Sequence, residues 1–229
     1  MIVEHHIQRQ ILRELVKGEA KRFSEIKPKA VESNLFMYHL RQLIRGGLVA
    51  KDNESSKYTL TKEGRLYADR SNLPTMKLRL QPKQITVLVV RNKKGQYILL
   101  KRTHVPYFDF VGFPSGKIHY GEKLEESATR ELKEKSGIED VKLKLGGNIL
   151  MRFYDESGEL VSHVNAYVFS GESGLEELVF ENEFFESYLG EADQLYTEKT
   201  FKGHKEIIEL ISQSNGEIFV KEFDFVSDF

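Results

Sequence analysis

The stretch GKIHYGEKLEESATRELKEKSGI, Gly116–Ile138, decides the reading of this chain. A Phe-Pro-Ser-Gly turn, Phe113–Gly116, leads into a short loop that ends at Gly121-Glu122. Leu124–Ser136 then reads as a helix with Gly137 at its C-terminal stop. On that helix Glu131 and Glu134 stand three residues apart, so both carboxylates share one face. Arg130 adjoins them and can hold a carboxylate through a bidentate pair. Clustered hard oxygen ligands suit Mg²⁺ or Mn²⁺, which bind one or two carboxylates together with substrate phosphates. A divalent ion there would polarise a phosphoryl oxygen and activate a water.

The segment resembles the Nudix box, G-x5-E-x7-R-E-U-x-E-E-x-G-U, with U a bulky aliphatic residue. Gly116, Glu122, Arg130, Glu131, Leu132, Glu134, Gly137 and Ile138 stand at the required spacing, eight of nine fixed positions. The resemblance covers roughly residues 82–214. It implies a Nudix α/β/α sandwich, a Mg²⁺ or Mn²⁺ requirement, and hydrolysis of a nucleoside diphosphate linked to another moiety. It also implies metal ligation by Glu131, Glu134 and Glu122, catalytic roles for Glu131, Glu134 and Arg130, and substrate contacts from Gly116 and Lys117. The ninth position departs from the pattern, because Lys135 replaces the second glutamate of the pair. In the family that glutamate is a direct metal ligand. An ammonium about 4 Å from a divalent ion meets a repulsion of roughly 2 kcal/mol in water and roughly 8 at an effective dielectric of 20. Either Glu122, Glu131 and Glu134 carry the metal without it, or Lys135 stands in for the metal and binds a substrate phosphate.

Around the box, Ile85–Arg91 and Gln96–Lys101 read as strands joined at Asn92–Gly95. Asn148–Tyr154 and Val161–Phe169 read as strands around the Asp155–Gly158 turn, and Gly203–Ser212 as a helix. Tyr107, Phe108 and Phe110 are candidates to stack a base, or are loop anchors. Glu181, Glu183 and Glu186 lie where the resemblance places an extra carboxylate; a solvated acidic run is the plainer reading. His104, His119 and His163 lack metal-ligand spacing. The tail Phe219–Phe229, with Phe223, Phe225 and Phe229 alternating, fits an edge strand or a dimer contact.

The first half has a different character. Residues 1–80 hold sixteen Lys and Arg against nine Asp and Glu, whereas residues 81–229 hold eighteen against twenty-six. Such asymmetry suggests that the first half meets a polyanion. His5–Lys17 reads as an amphipathic helix ended by Gly18, and Phe23–Lys29 as a short second helix interrupted by Pro28. A third helix, capped by Ser33 or Asn34, runs to Arg45. Leu48–Lys51 and Lys57–Leu60 read as strands, and Thr61 caps a fourth helix through about Ala68. On the third helix Asn34, Tyr38, Arg41 and Arg45 share the face opposite Leu40, Leu43 and Ile44, with His39 and Gln42 flanking it. Arg, Asn and Gln are the side chains that read base edges, and Arg also binds phosphate. The run from Ser33 to Gly64 resembles the third helix, wing and closing helix of a winged helix-turn-helix domain, a likeness covering about residues 4–70. It implies double-stranded DNA as partner, contacted by Asn34, Tyr38, Arg41, Gln42 and Arg45. The acidic wing tip, Asp52-Asn53-Glu54, would be repelled by phosphates.

The expected architecture is therefore α+β. A winged helix-turn-helix domain spans residues 1–72, a linker 73–84, and a Nudix domain 85–229. At 40% hydrophobic and 30% charged residues, wholesale disorder is excluded. The absence of cysteine excludes disulfides and thiolate sites, and no apolar run is long enough for a membrane span. Both features fit the cytoplasm. Two functions compete. One is a Nudix hydrolase fused to a DNA-binding unit. The other is a transcriptional regulator whose catalytically impaired Nudix domain senses a nucleotide such as an ADP-ribose-like metabolite. A homodimer is a candidate assembly, because twofold winged-helix proteins read paired half-sites.

Overall fold

In the computed structural model, which describes residues 3–226, the chain divides into two units, Met1–Leu80 and Gln81–Phe229. In the first, Ile7, Ile11, Leu12 and Leu15 form one buried stripe of α1 (His6–Leu15). They pack with Ile26 of α2 (Phe23–Ile26) and with Phe36, Leu40 and Leu43 of α3 (Ser33–Arg45). An antiparallel hairpin follows, β1 (Val49–Lys51) and β2 (Tyr58–Leu60), with Val49 opposite Leu60. Lys21 extends it by two backbone hydrogen bonds to Tyr58. In α4 (Lys62–Asp69) the Gly64 N–H donates to the Thr61 side chain at 2.9 Å.

Several local expectations need correction. The second helix stops at Ile26, because the position before Pro28 is forced out of the helical region. Glu32, not Ser33 or Asn34, caps α3: its carboxylate accepts the Asn34 and Leu35 N–H groups at 3.1 and 2.9 Å. The expected linker is structured at both ends. Its start closes a small hairpin, β3 (Ser71–Asn72) with β4 (Lys77–Leu78), that carries Met76 into the core of the first unit. Its end begins β5 (Lys83–Asn92).

The second unit is built on one sheet. Side chains of an extended strand alternate between faces, and β5 obeys this: Val87 and Val89 enter one apolar cluster, Leu88 and Val90 another. The other strands are β6 (Tyr97–Arg102), β7 (Val111–Gly112), β8 (Ser115–Lys117), β9 (Lys144–Tyr154), β10 (Leu160–Ser173), β11 (Val179–Glu181), β12 (Phe185–Gly190) and β13 (Phe219–Val226). The order across the sheet is β11-β12-β6-β5-β10-β9-β13, with β7 on β6 and β8 on β5. β5 runs parallel to β10, and β13 parallel to β9; the other pairs are antiparallel. Helix α5 (Leu124–Ser136) covers one face through Ala128 and Leu132. Helix α6 (His204–Gln213) covers the other through Ile207 and Ile208. The result is an α/β/α sandwich. The tail is an edge strand with Phe219 buried and Phe223 and Phe225 half-buried; Phe229 lies outside the described residues. No helix among the described residues is long and apolar enough to cross a membrane.

Candidate active site

Strand β8 lies on β5 with Gly116 opposite Thr86, and this pairing brings Gly116 under α5. The Glu131 carboxylate rests on Gly116 so closely that a Cβ there would lie 1.8 Å from the Glu131 Cδ. Only glycine fits. Gly121, at φ +88°, turns the chain into α5, and Gly137, at φ +72°, ends it in the left-handed conformation. At the start of α5 the Lys123 side chain makes no cap bond. The Glu126 carboxylate reaches back instead to the Lys123 N–H at 3.1 Å.

Arg130 gathers the acidic residues. Its Nε and Nη2 donate to the two Glu122 oxygens at 2.7 and 2.9 Å. Its Nη1 donates to Glu131 at 2.6 Å and, more loosely, to Glu134 at 3.3 Å. Nη2 also donates to the Lys117 carbonyl at 3.1 Å, which ties the helix to the glycine loop. The guanidinium and the His119 N–H hold the Glu122 carboxyl well below its usual range, at about 2. Glu122 and Glu131 in turn raise the affinity of Arg130 for its proton. Glu131 is buried, whereas Glu134 is half exposed. Arg130 engages both oxygens of Glu122 but only one each of Glu131 and Glu134.

Lys135 does not join this cluster. Its Nζ lies over the Phe185 ring, 4.7 Å from the centroid, and its carbonyl accepts the Ser187 hydroxyl at 2.5 Å. The lysine is thus directed to β12, and among the described residues no group of three or more His, Asp or Glu is arranged to hold a metal. Glu181, Glu183 and Glu186 are all exposed.

Lys117 also lines a cleft of about 440 Å³ on the α6 face. Tyr107, Phe110 and Phe201 form one wall, with ring centroids 5.3, 5.6 and 5.7 Å apart. Phe108, grouped with them from sequence, is exposed and does not line it. Lys83, Lys117, Lys202 and Arg102 contribute four cations against Glu198. Arg102 donates to His104 Nε2 at 2.7 Å, and burial lowers its pKa; its sealed Nε has no partner among the described residues.

The floor holds a residue that sequence reasoning missed. His204, buried, accepts the Phe113 N–H at Nδ1 at 2.8 Å and stacks on the Phe113 ring. Its proton must then sit on Nε2, and complete burial lowers its pKa to about 4. Gly112 lacks a side chain because a Cβ would lie 2.4 Å from His204. Nothing near position 204 in the sequence marks it, since its partner is 91 residues away.

In the first unit, Asn34, Tyr38, Arg41 and Arg45 are exposed along α3 and line a shallow groove with Met37 and Gln42. Gln42 is partly committed, its side-chain oxygen accepting from Gln8 of α1 at 2.8 Å. His39 is buried and stacks on His5 at 3.8 Å, so it does not flank the exposed face.

Comparison with known proteins agrees with the sandwich and the box. A "Putative 8-oxo-dGTP diphosphatase" of Bacillus subtilis (strain 168) is 36% identical over 70 residues, 30% of this chain and 45% of that protein. The chain thus spans about half the length of this curated relative. The crystal structure of the Mutator MutT protein from Bacillus halodurans superposes with a TM-score of 0.53 at 23% identity, over 64% of this chain and 92% of that one. The NUDIX domain of Shewanella oneidensis NrtR, solved with ADP ribose, gives 0.51 at 16% identity, over 67% and 98%. Residues 81–211 match the NUDIX domain model. With that match over more than half its length, the chain belongs to the NUDIX family.

Proposed function

We propose that the second unit hydrolyses a nucleoside diphosphate linked to another moiety. The observation that carries this reading is Arg130. It gathers Glu122, Glu131 and Glu134 and bonds the backbone of Lys117, the residue that the acidic cluster shares with the aromatic, cationic cleft. A flat base suits the wall of Tyr107, Phe110 and Phe201, and the diphosphate suits the surrounding cations. The ADP ribose held by the Shewanella domain is a ligand of this class.

The donor set fits a divalent ion of the Mg²⁺ or Mn²⁺ type, because Glu131 and Glu134 each keep one oxygen off Arg130. These two residues would hold it, with Glu122 completing the negative field. When bound, such an ion polarises a phosphoryl oxygen and makes water a better nucleophile. In the proposed reaction a water oxygen attacks one phosphorus, and the bond from that phosphorus to the bridging oxygen breaks. In this reading Glu134, the most exposed of the three carboxylates, accepts the water's proton. Arg130 keeps the carboxylates ionised and aligned. Gly116 lets Glu131 approach the loop, and the Lys117 ammonium attracts the phosphates.

A second reading is favoured by Lys135. Its placement over Phe185 removes a carboxylate from the box without supplying a cation to it. In this reading the domain senses a nucleotide, of the ADP-ribose-like kind, without cleaving it. Either way, we take the first unit as a winged helix that binds double-stranded DNA through Asn34, Tyr38, Arg41, Arg45 and the remaining donor of Gln42, with a homodimer as the form that would read paired half-sites.

The test is release of phosphate and nucleotide from a panel of nucleoside diphosphate compounds with Mg²⁺ or Mn²⁺, for the natural chain and Lys135→Glu. Turnover by the natural chain supports the hydrolase. Turnover only after Lys135→Glu supports the sensor.

A further inference from the structure

At the other end of the α6 face lies a second and larger cleft, of about 710 Å³, that the proposed reaction does not use. It forms where the sheet continues past the last turns of α6. The alternation that sends Val89 and Val168 under α6 sends Arg91, Ser170 and Glu172 to the same side further along β5 and β10. Tyr97 of β6, paired with Arg91, and Lys144 of β9, paired with Ser170, complete the floor. Ile208 and Ile211 of α6 form the roof.

The charge of this cleft opposes that of its surroundings. The second unit is strongly acidic, yet the cleft is lined by Arg91, Lys142 and Lys144 against Glu172 alone. Arg91 already pairs with Glu172 at 3.1 Å. Lys142 and Lys144 are exposed and form no ion pair among the described residues. The cleft thus offers two uncommitted ammonium groups beside apolar side chains and one aromatic ring. We propose that it binds a nucleoside monophosphate, with the phosphate dianion between Lys142 and Lys144 and the base against Tyr97. A dianion matches two free cations, a flat base suits the tyrosine ring, and the volume admits a molecule of this size.

The site would not be isolated. The Tyr97 ring also meets the Phe113 ring edge-on at 5.8 Å, and Phe113 opens the turn into the box. A base against Tyr97 therefore rests one ring away from the glycine loop.

The experiment is an amide NMR titration of the full chain with AMP, which has no diphosphate bond to cleave. Shifts are expected at 91, 97, 142–144, 170–172 and 208–212, and at Phe113. Lys142→Glu with Lys144→Glu is expected to weaken that set at least tenfold while leaving any shifts at 107–117 other than Phe113 in place. Both lysines are exposed, so the variant is expected to fold, which a melting curve checks. Shifts confined to 107–117, or none, overturn the proposal. So does a doubly reversed chain that melts a few degrees lower but binds AMP as before, since the lysines would then only complement the carbonyl end of α6. The proposal does not depend on hydrolysis, and a chain inactive on every diphosphate would leave it standing.

Discussion

Arg130 holds Glu122 by two hydrogen bonds, Nε to Oε1 at 2.7 Å and Nη2 to Oε2 at 2.9 Å, across eight residues of loop and helix. This bidentate pair fixes the entrance of α5 to its middle. Its consequence is a pH dependence with a definite sign. The folded carboxyl titrates near 2, below the ordinary value of 4.5. The unfolded chain therefore binds more protons between those values, and the pair's contribution is present above about 4.5 and lost as pH falls toward 2. Glu122→Gln is expected to flatten the acid limb of stability against pH, measured by denaturant unfolding at stepped pH.

Arg130→Lys keeps the charge but loses the fork. A lysine cannot reach Glu122, Glu131 and the Lys117 carbonyl together. Charge-assisted bonds contribute about 1.5–3 kcal/mol each when well formed. With the side chain partly exposed, a net loss of about 1–3 kcal/mol is expected in chemical denaturation, together with loss of any turnover.

Gly116→Ala tests the seat of Glu131. A methyl group there overlaps the carboxylate, so the loop or α5 must shift. Overpacking of this kind costs about 1–3 kcal/mol. A lowered melting temperature and weakened Mn²⁺ binding are expected together, whereas Gly174→Ala, with open space around it and no positive φ, should leave Mn²⁺ binding unchanged.

The box was legible because its chemistry is local. Gly116, Glu122, Arg130 and Glu131 meet through one turn and one helix, so their spacing in the chain is their arrangement in space. The cleft beside it was half legible. Tyr107 and Phe110 stand close before the box, but Phe201, His204 and Arg102 reach it through strand pairing and the docking of α6, which no local spacing reports. The same limit explains the linker expected at 73–84, where Met76 is buried by tertiary packing that local spacing does not report. Gln42 and His39 illustrate it on α3, where helical periodicity placed both near the exposed face and α1 claimed them.

On α3, Arg41→Ala with Arg45→Ala is expected to weaken duplex DNA binding and to reduce the slope of log K against log salt by about 2, one for each arginine that no longer meets a phosphate. Fluorescence anisotropy across a salt series measures both. The first turn of α3 is closed to phosphate because Glu32 takes the Asn34 and Leu35 amides. Glu32→Gln should therefore affect stability more than DNA affinity. Unchanged binding by the double arginine variant would remove the nucleic-acid reading of this unit.

His204 carries the last expectation. Its folded pKa of about 4 lies below the ordinary 6.5 because the ring is wholly buried. Between those values the unfolded chain binds a proton that the folded chain refuses. Stability from this residue is therefore complete above about 6.5 and falls as pH drops toward 4, by about 3 kcal/mol in all. His204→Asn keeps an acceptor for Phe113 but cannot titrate, and should lose this slope. His204→Leu also cannot titrate but leaves the Phe113 N–H buried without a partner, which costs about 1–3 kcal/mol at every pH. The two variants should thus share a flat profile at different heights, with asparagine the higher. If the slope between pH 4 and 6.5 survives in both, it belongs to another group, and the proton on His204 has no part in holding the turn that leads to Gly116.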